Sequence, residues 1–413
     1  VRSSPLLVAI LFGGCLDDSV VTNLGEGGGA GAGGAGGAGG AGGAGEPPCA
    51  VEVAAGWLHT CARKGDGTLW CWGWNEDGQL GDGTTQTPKP SPVQVSALGT
   101  AAVEVALGGR HTCARKPDGT LWCWGGNSFG QLGDGTTAQK STPVQVSALG
   151  TSVAEVAAGW LYTCARKGDG TLWCWGDNGW GQVGGGTTES QVLSPVQVGA
   201  LGTSVVEVAA GGSHTCARKG DGTLWCWGYN RDGAVGDGTT AETPKPLPVQ
   251  VVALGTSVVE VAAGGSHTCA RKGDGTLWCW GFNPSGQVGD GTVATPKPLP
   301  VHVGALGTSV VEVAAGTHHT CARKGDGTLW CWGDNFYGEL GDGTVATPKP
   351  LPVQVSALDA GVVEVAAGKY HTCARKGDGT LWCWGSDDYG QLGSGATSGA
   401  PLGAPPLKTL LCP

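Results

Sequence analysis

The sequence predicts an all-β, seven-bladed β-propeller with about four antiparallel strands per blade, and three observations carry that prediction. CARKGDGTLWCWG, at Cys61 to Gly73, recurs almost letter for letter from Cys113, Cys164, Cys216, Cys269, Cys321 and Cys373. The steps are 51 to 53 residues, a fixed period that marks a repeat architecture. Each repeat holds four short stretches of strand character separated by turns, and that is the pattern of a propeller blade.

The elements of one repeat follow in order. Pro92-Val93-Gln94-Val95 alternates apolar and polar residues, and proline suits a strand start. Ser96 to Ala101 is a turn of small residues, and Val103 to Ala106 a second strand. Gly108 to His111 turns the chain into a third strand, Thr112 to Arg115. Pro117-Asp118-Gly119 is a hairpin turn, as Lys-Gly-Asp-Gly is elsewhere, and Leu121 to Trp124 is the fourth strand. Trp-Cys-Trp places both indoles on one sheet face and the cysteine on the other. Core packing between blades is the expected role of these fourteen tryptophans.

Three regions are expected: a signal peptide over 1–14, a tether over 15–48 and the propeller over 49–413. Arg2 and the apolar run Pro5 to Phe12 precede Gly13-Gly14-Cys15, a stretch too short to span a bilayer. It resembles a bacterial lipoprotein signal, which implies lipidation at Cys15 and a membrane anchor; Phe12 stands where that pattern usually has Leu. Gly27 to Gly45 holds only Gly and Ala, a flexible chain. From Cys15 to Cys49 its r.m.s. reach is about 30 Å.

A net charge of −10 opposes nucleic-acid binding. Fourteen of the 24 basic residues sit in seven Ala-Arg-Lys triplets, so no basic patch gathers. Seventeen cysteines point to an oxidising compartment. Within each hairpin they stand ten positions apart, unlike zinc knuckles.

The pieces VAAGxxHTCA, DGTLWCWGxNxxGQLGDGT and PVQV resemble the regulator of chromosome condensation repeat over roughly residues 49 to 413. The resemblance implies a seven-bladed propeller and protein binding at its top. It also offers guanine-nucleotide exchange on a small GTPase, or inhibition of a secreted enzyme, as alternative activities. Gly185 and Ser394 replace the usual Asp of the loop. A light-sensing role, known within this fold, calls for Gly-Trp-x-His-Thr; only Gly56 to Thr60 approaches it, without the accompanying Arg.

The two cysteines of each hairpin lie opposite across a short turn. Seven disulfides are expected: Cys61–Cys71, Cys113–Cys123, Cys164–Cys174, Cys216–Cys226, Cys269–Cys279, Cys321–Cys331 and Cys373–Cys383. Each contributes up to about 2.7 kcal/mol by loop entropy. With Cys15 lipidated, Cys49–Cys412 remains as a bolt between the propeller's ends.

No catalytic set, phosphate loop or carboxylate pair stands apart from the repeat, so neither enzymatic activity nor a cofactor is expected. Six blades carry a histidine before Thr-Cys and the third carries Tyr162, which favours a structural hydrogen bond over a metal. Asp-Gly pairs such as Asp82-Gly83 fit turn chemistry better than calcium loops. A glutamate between valines in each repeat, Glu52 to Glu364, is placed to pair with the arginine of the same blade.

Differences between copies locate function. Two segments vary, one after Ala-Gly or Leu-Gly and one after Cys-Trp-Gly, and alternating strand direction brings both to one face. Of 27 aromatic residues, fourteen are in Trp-Cys-Trp, one is Phe12, one is Tyr162, and the other eleven are in these segments. The candidate binding face is Trp57, Trp74, Arg110, Phe129, Trp160, Trp180, Tyr229, Arg231, Phe282, His318, Phe336, Tyr337, Tyr370 and Tyr389. Exposed aromatics and arginines typify protein-binding hot spots; aromatics also stack on sugars, which keeps a carbohydrate-binding module open. The expectation is an exported, lipid-anchored surface protein that binds a protein partner through this face.

Overall fold

A computed structural model describes residues 50–240, 242–294, 296–397 and 405–411, all inside one compact unit, Pro48–Pro413. Cys15, the signal and tether over 1–48, and the pair Cys49–Cys412 lie outside the described residues.

Seven four-stranded antiparallel sheets form a ring. In blade one they are β1 (Ala50–Ala55), β2 (His59–Lys64), β3 (Leu69–Gly73) and β4 (Lys89–Gln94). First strands neighbour first strands around the ring, and the one in blade seven returns to β1. The all-β propeller expectation holds; the blade boundaries differ by one strand. Pro-Val-Gln-Val does not open a blade. It closes the preceding one, with Trp70 opposite Gln94 and Cys71 opposite Val93. The reason is the Ser-Ala-Leu segment, which is a 3-10 turn that buries Leu98 and carries the chain to the next blade. Blade seven ends the same way, with Leu407–Lys408 against Leu381–Gly385. Each sheet is therefore built from one continuous stretch of chain.

Cysteines pair directly across strands two and three, as Cys61 with Cys71, and all seven intrablade disulfides are present, with Cα atoms 4.1 Å apart. The core sits between blades. Cys216, Leu224, Cys226, Val251 and Leu254 of blade four pack on Val258, Val261, Ala270 and Trp280 of blade five. The two tryptophans of each Trp-Cys-Trp separate in role. The second is fully buried, and its Nε1 donates to a carbonyl of the preceding blade, as Trp227 does to Gln182 at 2.9 Å. The first is half-buried; Trp70 donates to Thr68, whose Oγ1 donates to Asp66. Gly67, at φ 80°, permits this hairpin to touch the next crossing, since a Cβ there would lie 2.1 Å from the Thr100 carbonyl.

Two rings of side-chain contacts join the blades. Each glutamate of the first strand takes the arginine of its own blade at 2.6–2.8 Å, as expected. Its second oxygen accepts a backbone N–H from the next blade; Val105 donates to Glu52, and Val53 donates to Glu364 to close the circle. Burial pushes Glu155, Glu260 and Glu364 up to about 7, against the pull of their arginines.

The histidines form the second ring. His59 Nε2 meets Thr112 Oγ1 at 2.9 Å, and His371 meets Thr60 at 2.8 Å across the seam between blades seven and one. Each threonine hydroxyl donates onward to a backbone carbonyl, as Thr112 does to Gln79. The hydroxyl oxygen is then the acceptor, so the histidine must carry its proton on Nε2. In blade three Tyr162 replaces the link, donating to the His214 carbonyl with its hydroxyl 3.0 Å from Thr215 Oγ1. Burial holds His59, His111, His267, His319 and His371 down to about 3 and His214 to about 4, all neutral. Asp82 accepts from Thr84 N and Oγ1, which is the turn chemistry expected of the Asp-Gly pairs.

Candidate functional site

Backbone hydrogen bonds fix the two variable segments side by side. The first residue after Cys-Trp-Gly donates its N–H to the turn that precedes the second strand, in every blade. Trp74 donates to Leu58 at 2.9 Å, Tyr229 to Ser213 at 2.8 Å and Ser386 to Tyr370 at 2.8 Å. The long loop then repeats one frame. Buried Asn75 accepts from Leu80 N at 3.0 Å, and Gln79 accepts from Asp77 N at 3.1 Å. Asn127, Asn178, Asn230, Asn283 and Asn335 repeat the first bond, and Asp387 stands in for asparagine in blade seven. The frame leaves the places before and after the asparagine to carry different side chains.

Those side chains meet across blades. Phe336 and Tyr337 lie 4.9 Å apart, and Tyr337 and Tyr370 also 4.9 Å. Lys369 Nζ is 4.7 Å from the Tyr370 ring and 4.4 Å from Trp57. Trp57 meets Trp160 edge-on at 4.9 Å. It reaches that ring past Gly109, whose Cβ would lie 3.3 Å from Trp57 Cδ2. One continuous belt thus runs from blade six through blades seven and one to blade three. Smaller groups flank it: Trp180 with Tyr229 at 5.0 Å, Phe282 with His318 at 6.0 Å, and Trp74 with Tyr389 at 6.3 Å. Arg110 lies 5.2 Å over Trp74 and 3.4 Å from Asp77. Half-buried Phe129 stands outside these groups, and exposed Arg231 turns to exposed Glu242 at 3.2 Å.

Phe336 is 58 % exposed and Trp180 38 %, while Trp74 is buried, so the members of the face are not equally available. Burial and Asp232 push the Tyr229 hydroxyl up to about 12, and burial lowers His318. At the centre the belt borders the mouth of the axial channel, a cavity of about 130 Å³ lined by Ala-Gly pairs such as Ala55-Gly56, by Trp57 and Trp160, and by Thr317. Among the described residues no group of three or more His, Cys, Asp or Glu could hold a metal ion, and no helix is long and apolar enough to cross a membrane.

Lys369, the asparagine frame and Glu339 were not among the sequence candidates. Lys369 lies in a segment recognised as variable, but its cationic role appears only when Trp57 is beside it. The asparagines recur as Gly-x-Asn-x-x-Gly and carry a signal that aromatic counting overlooks. Glu339 is one of two departures, standing where five other blades have Gln and blade four Ala234.

A ring of seven such blades with one patterned face defines a seven-bladed β-propeller. The chain belongs to the regulator of chromosome condensation family. Residues 184–409 match the RCC1-like domain, and residues 66–115 and 118–166 match the regulator of chromosome condensation (RCC1) repeat. It is 35% identical over 350 residues to the Ultraviolet-B receptor UVR8 of Arabidopsis thaliana, covering 83% of this chain and 78% of that protein. It is 32% identical to the E3 ubiquitin-protein ligase HERC2 of Homo sapiens over 82% of this chain, which spans only 7% of that much longer relative. Among solved structures, human WBSCR16 superposes with a TM-score of 0.71 at 24% identity, covering 79% of this chain and 86% of that one. Yeast RCC1 (Prp20) bound to Kap60 gives 0.71 at 24% identity over 82% of each chain. At that identity these structures speak to the fold.

Proposed function

We propose that this chain is an interaction protein that docks a protein partner on its variable face. One observation carries the reading: the belt Phe336–Tyr337–Tyr370–Lys369–Trp57–Trp160 is continuous across blades that share no sheet. Aromatics drifting independently in seven loops have no reason to touch; a single extended docking surface needs them to. The variable segments carry seven carboxylates (Glu76, Asp77, Asp177, Asp232, Asp334, Asp387, Asp388) against three cations (Arg110, Arg231, Lys369), so the matching partner surface is basic.

The finer reading is an exported protein held to a membrane by lipid at Cys15. Seven buried disulfides support it, since they persist in oxidising compartments, and the Val1 to Cys15 stretch supports the anchor. The same disulfides place nucleotide exchange on a small GTPase second, because that chemistry belongs to a reducing compartment.

Two measurements test the two parts. Partner capture by the full chain should fall at least about tenfold when Trp57, Tyr337 and Tyr370 become alanine, an expected loss of about 1.4 kcal/mol or more. Unchanged capture removes the face. Radiolabelled palmitate should label the chain and not its Cys15→Ser variant; equal labelling removes the anchor.

A further inference from the structure

The loop of blade six carries a carboxylate, Glu339, where five blades carry Gln and blade four Ala234; in blades three and seven that amide makes two bonds, while Gln79 and Gln287 leave their buried Nε2 without a partner. In blade three, Gln182 Oε1 accepts from Trp180 N at 2.9 Å, and Gln182 Nε2 donates to Asp177 Oδ2 at 2.9 Å. In blade seven, Gln391 repeats this, accepting from Tyr389 N at 3.0 Å and donating to Ser386 Oγ at 3.0 Å. Blade six keeps the first bond, with Tyr337 N donating to Glu339 Oε2 at 2.9 Å. It cannot make the second. Glu339 Oε1 takes the place of the amide nitrogen, and the negative charge of Asp334 acts on it. Glu339 is 1 % exposed, and its Oε1 has no hydrogen-bond partner. An isolated buried carboxylate oxygen of this kind is costly, and a carboxylate neighbour makes it more so.

We propose that Glu339 keeps its proton in the folded loop, and that losing it loosens the loop that displays Phe336 and Tyr337. With the proton on Oε1, Glu339 becomes a donor and gives Asp334 the bond that Gln182 gives Asp177. Without it, two carboxylates oppose each other beneath the aromatic belt. The remaining partners of Asp334 do not relieve this: its Oδ1 already accepts from Asn335 N at 3.0 Å.

Tyr337 of the same loop feels Glu339, Asp334, Tyr370 and Asp388, and His318 feels Asp334 and Lys369, so blades six and seven supply the charged and titratable groups around it. Lys369 is held between two rings. Burial first, and then Asp334, push Glu339 up to about 7. The sign follows. A raised carboxyl binds its proton more tightly in the folded loop than in an open one. The loop is therefore firmest in acid, loses stability as pH rises from the ordinary glutamate range to about 7, and stays at its weakest above that. In blade three Gln182 does not titrate, so the equivalent loop supplies an internal control.

The device regulates the docking face and in that sense rests on the preceding reading, but it is read without any partner. The test is amide hydrogen exchange on the full chain at pH 5.5 and pH 8, corrected for intrinsic rates, following residues 334–340 and, as control, 177–183. Protection of 334–340 in the natural protein should fall by at least about tenfold between the two values while 177–183 holds steady. Glu339→Gln should keep the same protection at both. Asp334→Asn, which offers Glu339 an N–H to accept, should flatten the dependence by a second route. Equal protection at both pH values in the natural protein, or the same pH dependence in Glu339→Gln, overturns the proposal. Loss of partner capture with the exchange pattern intact would instead overturn the docking reading alone.

Discussion

At the hairpin end of the ring, seven blades repeat the same Asp-Gly-Thr-x-Trp contacts; at the other end, seven loops of one backbone frame carry seven different sets of side chains. Asp66, Thr68 and Trp70 bond in series, and Asp221, Thr223 and Trp225 do the same three blades away. The loops share their buried asparagine and their turn contacts, yet present Trp74, Phe129, Trp180, Arg231, Pro284 or Phe336 around them. The contrast teaches a division of labour within one repeat. Polar groups that satisfy backbone are fixed wherever the chain must turn, and side chains that satisfy nothing internal are free to differ. Binding specificity is expected to reside in the second set.

That division can be broken at several strengths. Trp227→Ala removes a fully buried indole from the joint between blades and leaves the Gln182 carbonyl with Thr215 alone as donor; it should cost about 3–5 kcal/mol in denaturant unfolding. Replacing Cys216 and Cys226 together by alanine should cost up to about 2.7 kcal/mol, with the ring still assembled at low temperature. Asn230→Ala leaves Val235 N without its buried acceptor and should cost about 1–3 kcal/mol, whereas Phe336→Ala, at an exposed place in an equivalent loop, should stay within about 0.5 kcal/mol. A Phe336→Ala loss as large as that of Asn230→Ala would mean that the aromatic belt is scaffold.

The histidine ring offers a pH test of the inner joint. Folded His319 is held near 3 by burial, so the unfolded chain takes up its proton first as pH falls. The stability it contributes is present above about 6.5 and is lost as pH falls below that value. His319→Tyr copies Tyr162 of blade three and should lessen the fall in melting temperature between pH 6.5 and 5. Glu155, Glu260 and Glu364, raised to about 7, act in the opposite direction over the same range, so the comparison with the natural protein is what isolates histidine.

Much of this was legible from the chain itself. A period of about fifty residues announces blades, and cysteines ten apart across a Gly-Asp-Gly turn can only face each other. The eleven aromatics of the variable segments mark the face because nothing local requires them. The blade boundary was not legible: Ser-Ala-Leu-Gly has the composition of a hairpin turn, and only the pairing of Gln94 with Trp70 shows that the chain crosses to a new sheet there. The joints between blades were also hidden, since Glu52 meets Val105 N and His59 meets Thr112 about fifty residues away. Periodicity reports what repeats, and these contacts depend on how the repeats lean on one another. Glu339 was hidden for the opposite reason, as one conservative-looking change whose consequence lies in which buried atom can donate.

The most direct measurement compares two variants of the full chain for capture of the same partner. One replaces Trp57, Tyr337 and Tyr370 by alanine; the other replaces Leu247, Leu299 and Leu351, about half exposed on the outer strands of blades four to six, by serine. The account predicts at least about a tenfold loss of binding in the first and none in the second, with both retaining the melting temperature of the natural protein within a few degrees. Binding that survives in the first and disappears in the second would place the docking surface on the rim and contradict the account.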